Sequence, residues 1–219
     1  ALTIWLAGIT GKFGRILSLK LLEKPNLVLG GYARDPSKVP TALAGSPRLQ
    51  LFKGEAFDDA TIKPFVSGCD VVVCAYLGAD DLMVDRQKKL SDARDETGVP
   101  RYAHLETKST VKGIHILIGG FMDPVLSPFF QVWDPKNRTL RYWGEGTEPW
   151  EGTSYANAAE FTAVIIADTS AVGIKKYLGD RKTIRQIAST FDMVYGLMPK
   201  MERLGSLDNL KARMRAKQA

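Results

Sequence analysis

Three glycines, Gly8, Gly11 and Gly14, follow the apolar run Leu2–Ala7 at a regular spacing. Directly after them Phe13, Ile16, Leu17 and Leu21 recur at helical spacing until Pro25 ends the pattern. A strand that turns through glycines into a helix is suited to hold linked phosphates. Gly8 permits the tight turn, Gly11 lets a pyrophosphate approach the backbone, and Gly14 lets the helix pack closely on the strand. The helix N-terminus adds N–H donors and the positive end of its dipole. Thr10, Lys12 and Phe13 complete the loop. In this strand–turn–helix context the spacing predicts a dinucleotide site.

The second strand bears on which dinucleotide. An Asp or Glu about 20 residues beyond the glycines takes a ribose 2′-hydroxyl, whereas an Arg there suits a 2′-phosphate. Here that position holds Arg34, in Tyr32-Ala-Arg-Asp-Pro-Ser-Lys38. A guanidinium grips phosphate oxygens in a fork, and Lys38 and Lys12 add charge. This favours NADP; Asp35 keeps NAD open. A later apolar strand ends at Cys74-Ala-Tyr-Leu-Gly78. In doubly wound sheets ligands bind outside the carboxyl ends of the strands, so Ala75, Tyr76, Leu77 and Gly78 are expected along the cofactor's path.

The residue that would act at the reacting end is less plain. None of the seven tyrosines is followed four residues on by Lys, so the Tyr-x-x-x-Lys pair of short-chain dehydrogenases is absent. Of the two histidines, His115 lies inside an apolar strand and reads as structural. His104 ends a strand on the binding edge and is the better candidate for proton transfer. No metal signature is present. Aromatic residues crowd the stretch after residue 118. They read either as core or as an apolar pocket over the nicotinamide end, with Phe121, Met122, Trp143 and Tyr155 as its candidate lining.

The elements that must position these groups alternate. Strands are expected at Leu2–Ala7, Leu27–Ala33, Leu49–Phe52, Asp70–Tyr76, Arg101–His104 and Ile114–Ile118. Helices are expected after Gly11, at Asp59–Val66 and at Leu82–Thr97. That order means βαβ units, hence an α/β fold with a doubly wound parallel sheet. Beyond it, Gln131–Trp133 and Thr139–Trp143 flank turn residues, and Asn157–Ala167 reads as helical. Thr183 and Gln186 form a capping box for a helix stopping at Gly196, and Ser206 caps a last helix, Leu207–Lys217. We expect a dinucleotide domain over residues 1–122 and a smaller substrate lobe over 123–219, with some of its elements rejoining the sheet.

The 219 residues, 45% hydrophobic and 25% charged, are enough for one large domain or two small ones. No apolar run reaches membrane-spanning length. No signal peptide is expected, since no basic segment precedes an apolar one near Ala1. Cys69 and Cys74 are too few for a disulfide scaffold or zinc site and fit a reducing, cytoplasmic setting. A net charge of +6 suits an anionic cofactor and does not by itself argue for nucleic acid. Lys211, Arg213, Arg215 and Lys217 read as one solvated helix face, or as a phosphate-binding tail.

Several stretches resemble the NmrA-like and isoflavone-reductase-like proteins, which are atypical short-chain dehydrogenase/reductases. They are Gly8-Ile-Thr-Gly-Lys-Phe-Gly14, Ala33-Arg-Asp-Pro-Ser-Lys38, Val99-Pro-Arg-Tyr102, Gly113-Ile-His-Ile-Leu-Ile-Gly-Gly-Phe-Met122, Tyr142-Trp-Gly-Glu-Gly146 and Trp150-Glu-Gly-Thr-Ser-Tyr-Ala-Asn-Ala-Ala159. The resemblance spans essentially the whole chain. It implies a Rossmann domain, a small C-terminal substrate lobe and NADP(H). Some such proteins reduce small aromatic or secondary-metabolite substrates; others bind the dinucleotide without turnover and act as redox-sensing regulators.

One departure stands out. In the reductases of this kind a longer segment between the fifth and sixth strands carries a Lys that assists chemistry at the nicotinamide. Here Tyr102-Ala-His104 runs straight into Leu105-Glu-Thr-Lys108, and between Gly78 and Leu105 only Lys88 and Lys89 of the preceding helix occur. Either the segment is lacking, which favours a binding role, or a stretch that belongs here is absent from the sequence. The expectation is an NADPH-dependent reductase with a small-molecule substrate. A non-catalytic NAD(P) sensor or a redox-neutral rearrangement enzyme is the alternative. Neither nucleic acid nor membrane is an expected partner; a homodimer is open to it.

Overall fold

The computed structural model describes residues 1–76, 80–103 and 112–216, with 80–87, 102 and 112 by backbone alone. In chain order the first elements are β1 (Leu2–Ala7), α1 (Lys12–Leu22), β2 (Leu27–Ala33), α2 (Thr41–Ala44), β3 (Leu49–Lys53), α3 (Asp59–Val66), β4 (Val71–Cys74), α4 (Asp80–Thr97), β5 (Arg101–Ala103) and β6 (Lys112–Leu117). There follow β7 (Gly120–Phe121), α5 (Met122–Val125), β8 (Trp133–Asp134), β9 (Thr139–Trp143), β10 (Pro149–Thr153), α6 (Tyr155–Ala167), β11 (Gly173–Lys176), β12 (Asp180–Thr183), α7 (Ile184–Tyr195), β13 (Lys200–Gly205) and α8 (Leu207–Ala216). The chain forms two compact units. The first holds residues 1–117 and 156–177, the second 118–155 and 178–219. The divisions fall at three places, because α6 and β11 return to the first unit.

In the first unit a seven-stranded parallel sheet has the order β11-β6-β5-β4-β1-β2-β3. The order reverses between β1 and β4, which places a crevice beyond the carboxyl ends of those two strands. β1 shows why the sheet is covered twice. Its side chains alternate, so Ile4 and Leu6 join Leu17 and Leu21 of α1 and Ala159, Ala163 and Ile166 of α6 on one face. Trp5 and Ala7 join Ile62 and Phe65 of α3 and Leu90 and Ala93 of α4 on the other. A strand apolar and buried at consecutive positions, here Ile4 to Ala7, is the pattern of a parallel sheet covered on both sides.

α6 is fastened at its C-terminal end. The buried Arg101 at the start of β5 donates to the carbonyls of Ile166 (3.2 Å), Asp168 (2.7 Å) and Ala171 (3.4 Å). A guanidinium there satisfies carbonyls that lack helical partners and meets the negative end of the helix dipole. Cys69 is buried in the same unit, and burial pushes its thiol up to about 12, so it stays protonated and unreactive near neutral pH.

The second unit has two three-stranded sheets, β12-β10-β7 and β13-β9-β8. The turn Asp134-Pro-Lys-Asn137 closes an antiparallel β8–β9 pair, with Trp133 opposite Leu140 and Asp134 opposite Thr139. The capping box of α7 is formed, and Gly196 ends that helix in the left-handed region. Asp134 accepts from the Asn137 side chain and backbone and from Arg141 (2.8 Å). These bonds, those from Asn137 first, lower its carboxyl from the ordinary 3.8 to about 2. Because the folded value is depressed, the stabilisation is present above the unfolded value and is lost as pH falls through the folded one. Acid titration of the fold should therefore show a limb between pH about 4 and about 2 that Asp134→Asn removes, read by circular dichroism.

Among the described residues no helix is long and apolar enough to cross a membrane. No cluster of His, Cys, Asp and Glu able to hold a metal occurs among them either.

Candidate functional site

The turn after β1 sits at the reversal of strand order. Gly8 carries the left-handed φ of +91°, and its N–H donates to Tyr32 O across to β2 (3.2 Å). A Cβ on Gly8 would lie 2.8 Å from Ala75 O, so this glycine is what lets the ends of β1 and β4 approach. Gly11 N–H donates back to Gly8 O (3.0 Å), closing the loop, and Gly11 is the N-cap of α1. A Cβ on Gly14 would lie 2.3 Å from Gly8 O: the first turn of α1 rests directly on the loop backbone. Ser18 seals the contact by donating to Gly14 O (2.7 Å).

The cap of α1 fits an anion. Gly11 supplies no side-chain acceptor, and the first turn holds no acidic residue. The helix's leading N–H groups and its dipole therefore meet no carboxylate from their own turn, as phosphate binding at a helix N-terminus requires. Thr10 is half-buried and Lys12 exposed on this turn. Phe13 turns its ring toward the first core cluster, so its contribution to a ligand is through the backbone. Ala75 packs against that same cluster, and Tyr76 packs on the opposite one with its ring edge beside Gly8. Leu77, Gly78 and His104 lie outside the described residues.

At the end of β2, Arg34 is exposed and makes no hydrogen bond or ion pair with any described residue. Its neighbour Asp35 is committed. The Asp35 carboxylate accepts from Ser37 N (3.1 Å) and Ser37 Oγ (2.5 Å) and pairs with Lys38 at 3.7 Å. The Ser37 hydroxyl bond leads in lowering its pKa, so the group is an ionised turn cap. Arg15, which sequence reasoning missed, joins the cluster. Its Nη2 donates to Lys38 O (3.3 Å), and its buried Nε has no acceptor among the described residues. No local signal marked it, since its approach to Lys38 depends on how α1 lies against the loop after β2. A turn that a Cβ would fill, a bare helix cap and an unsatisfied buried guanidinium N–H together fit a phosphorylated dinucleotide.

The candidate substrate residues all fall in the second unit, with the body of α6 beyond Tyr155 in the first. Phe121 and Tyr155 pack ring to ring, centroids 4.4 Å apart, and Tyr155 N–H donates to the Asp123 carboxylate at the start of α6 (2.7 Å). Burial raises the Tyr155 hydroxyl. Met122 lines a cleft of about 430 Å³ together with Trp133, Trp150 and a stripe of α7. Trp143 is elsewhere. Alternation along β9 turns Leu140 toward the cleft and Trp143 to the opposite face, where the Arg213 guanidinium of α8 lies 5.9 Å from its ring centre. Sequence reasoning missed α7's part, because its stripe reads equally well as packing.

No curated protein matches this sequence. Solved structures do match in fold. An NADPH-dependent quinone oxidoreductase from Escherichia coli, complexed with NADPH, superposes with a TM-score of 0.79 at 15% identity, over 99% of this chain and 83% of that one. An isoflavone reductase gives 0.74 at 18% identity, over 95% and 80%. A UDP-glucuronic acid 4-epimerase from Bacillus cereus, in complex with NAD, gives 0.73 at 13% identity, over 93% and 87%. At such identities the likeness establishes the Rossmann-type fold. A family model described as NAD(P)H-binding matches residues 8–142, from the first glycine of the loop to β9. In agreement with the loop geometry and the isoflavone-reductase-like resemblance, the chain belongs to this NAD(P)H-binding family.

Proposed function

We propose that the protein is an NADPH-dependent reductase of a small aromatic or secondary-metabolite molecule. The observation that carries the choice of cofactor is the contrast at the end of β2. Arg34 is without a partner among the described residues, while Asp35 is held by Ser37 and Lys38. A carboxylate already accepting two hydrogen bonds is poorly placed to take a ribose hydroxyl, whereas an exposed guanidinium is ready for a 2′-phosphate. Gly8, Gly11 and Gly14 would hold the pyrophosphate, and Arg34, Arg15, Lys38 and Lys12 would surround the 2′-phosphate. When bound, the reduced nicotinamide supplies a hydride, which together with a proton from a donor group or the medium converts a carbonyl to an alcohol and leaves NADP⁺.

A reductase reading is supported by the neighbours in fold. One is a quinone oxidoreductase complexed with NADPH, and another, AtPrR2, was solved with NADP⁺ and (+)-pinoresinol at 18% identity and a TM-score of 0.75. The second reading, a sensor that binds the dinucleotide without turnover, draws on one observation: neither Tyr-x-x-x-Lys nor the family's Lys segment is present. The test measures NADPH binding by calorimetry and NADPH consumption by absorbance across a panel of aromatic ketones and enones. Binding with consumption is expected. Binding without consumption of any member would overturn the reductase in favour of the sensor, and failure to bind would overturn both.

A further inference from the structure

One buried side chain joins the phosphate-holding turn to the loop after β3. Tyr32 lies on β2, paired with Ala7 of β1 and Phe52 of β3, and its ring centroid is 4.7 Å from that of Phe65. Its carbonyl accepts the Gly8 N–H (3.2 Å). Its hydroxyl donates to Glu55 O (2.8 Å) and meets the Thr61 hydroxyl at 2.7 Å. The core packing of the ring does not call for this hydroxyl, since phenylalanine would fill the same space. Burial raises its pKa above the ordinary 10, so it stays protonated and able to donate.

Gly54 shows how closely the loop is drawn in. A Cβ there would lie 2.3 Å from the Tyr32 hydroxyl oxygen and 2.5 Å from Thr61 Oγ1, so a side chain is excluded while the two hydroxyls are in place. The Gly54 N–H donates to Ala33 O (3.1 Å), which ties the loop to the residue before Arg34. Asp58 closes the loop as the N-cap of α3, and its N–H donates to the same Glu55 O (3.1 Å).

This loop comes next along the site. β1, β2 and β3 are neighbours in that order. The turn after β1 would hold the pyrophosphate and Arg34 after β2 the 2′-phosphate, so the base on that ribose belongs beyond the carboxyl end of β3. The N–H groups of Glu55 and Ala56 donate to no described residue. Adenine presents an acceptor, N1, to such donors, whereas hypoxanthine carries a hydrogen there.

We infer that Tyr32 is a positioning residue for the cofactor: through Glu55 and Thr61 its hydroxyl sets the loop after β3 so that this loop selects adenine. The inference rests on the NADPH reading and adds to it the residue behind base recognition. The hydroxyl is dispensable for folding, because its partners keep other bonds. Glu55 O retains the Asp58 N–H, and Thr61 Oγ1 retains Asp58 O and the Asp58 carboxylate, both at 3.1 Å. Removing it therefore frees the loop from β2 and leaves neither partner unsatisfied.

The test titrates NADPH and its hypoxanthine analogue calorimetrically into the full chain. The parent is expected to prefer NADPH. Tyr32→Phe should weaken NADPH about five- to tenfold, the worth of one hydrogen bond, and leave the analogue within about twofold, so that the preference closes. Thr61→Val, nearly isosteric, should do the same, and Thr61→Ser should restore the parent's preference; this pair carries the test if Tyr32→Phe does not fold. Unchanged NADPH affinity in the folded variants would overturn the inference and keep the NADPH reading. An equal loss for both dinucleotides would also overturn it, since it would make Tyr32 a support of the fold alone. A parent that binds neither dinucleotide overturns both. The closing of the preference, with no consumption of NADPH by any panel member, keeps the inference and sinks the reductase.

Discussion

Gly14→Ala is expected to abolish measurable NADPH binding, with a loss of about 100-fold or more. Two effects oppose one another. Alanine is the better helix former, by about 1 kcal/mol over glycine. The added methyl, however, would lie 2.3 Å from Gly8 O and 3.1 Å from Gly8 C, well inside contact distance. Both atoms belong to the loop backbone and cannot swing aside as a flexible side chain would. Relief requires α1 to move off the loop, a distortion costing about 1–3 kcal/mol or more, so the clash wins over propensity. Moving the helix also carries its leading N–H groups away from the phosphates. A 100-fold loss corresponds to about 2.8 kcal/mol of binding free energy. Calorimetric titration measures it, and unaltered affinity in a folded Gly14→Ala protein would remove this loop from the site.

Arg34→Ala should separate the two nicotinamide cofactors. A charge-assisted hydrogen bond contributes about 1.5–3 kcal/mol, so NADPH affinity is expected to fall by about 10- to 100-fold. NADH, lacking the 2′-phosphate, should bind the variant as it binds the parent. The stability of the fold should not change, because Arg34 is exposed and unpartnered among the described residues. A parallel loss for both cofactors would assign Arg34 a structural role, and no loss for either would move the phosphate elsewhere. The salt dependence gives a second check, since an exposed phosphate–guanidinium pair weakens as ionic strength rises.

Both predictions concern a stretch that is nearly all local in sequence, and this explains how much of it was legible. The strand Leu2–Ala7, its glycine turn and the following helix are set by nearest neighbours: a mostly apolar run, then glycines, then a helical stripe. The same holds for the hairpin around Asp134 and the capping box at Thr183, where side chains bond to backbone only a few residues away. Asp35 shows the limit. From the sequence it left NAD open. Its engagement by Ser37 is local, yet it became evident only when the carboxylate was seen bonded.

The strands β11 and β13 were not anticipated. They are mostly exposed along their length, so they lack the apolar alternation by which a strand is recognised. Their pairing with β6 and β9 is fixed by partners more than 50 residues away. Arg15 belongs to the same class, since its approach to Lys38 depends on how α1 lies against the loop after β2.

By itself, then, the amino-acid order determined the parallel α/β architecture and the phosphate-holding turn, because both arise from patterns that repeat within a few residues. Tertiary structure alone decided which aromatic side chains share a cleft. Leu126, Trp133, Trp150 and Phe191 come from separate elements. Whether a ring faces the cleft or, like Trp143, the other side of the sheet is settled by strand parity and helix phase once the elements have packed.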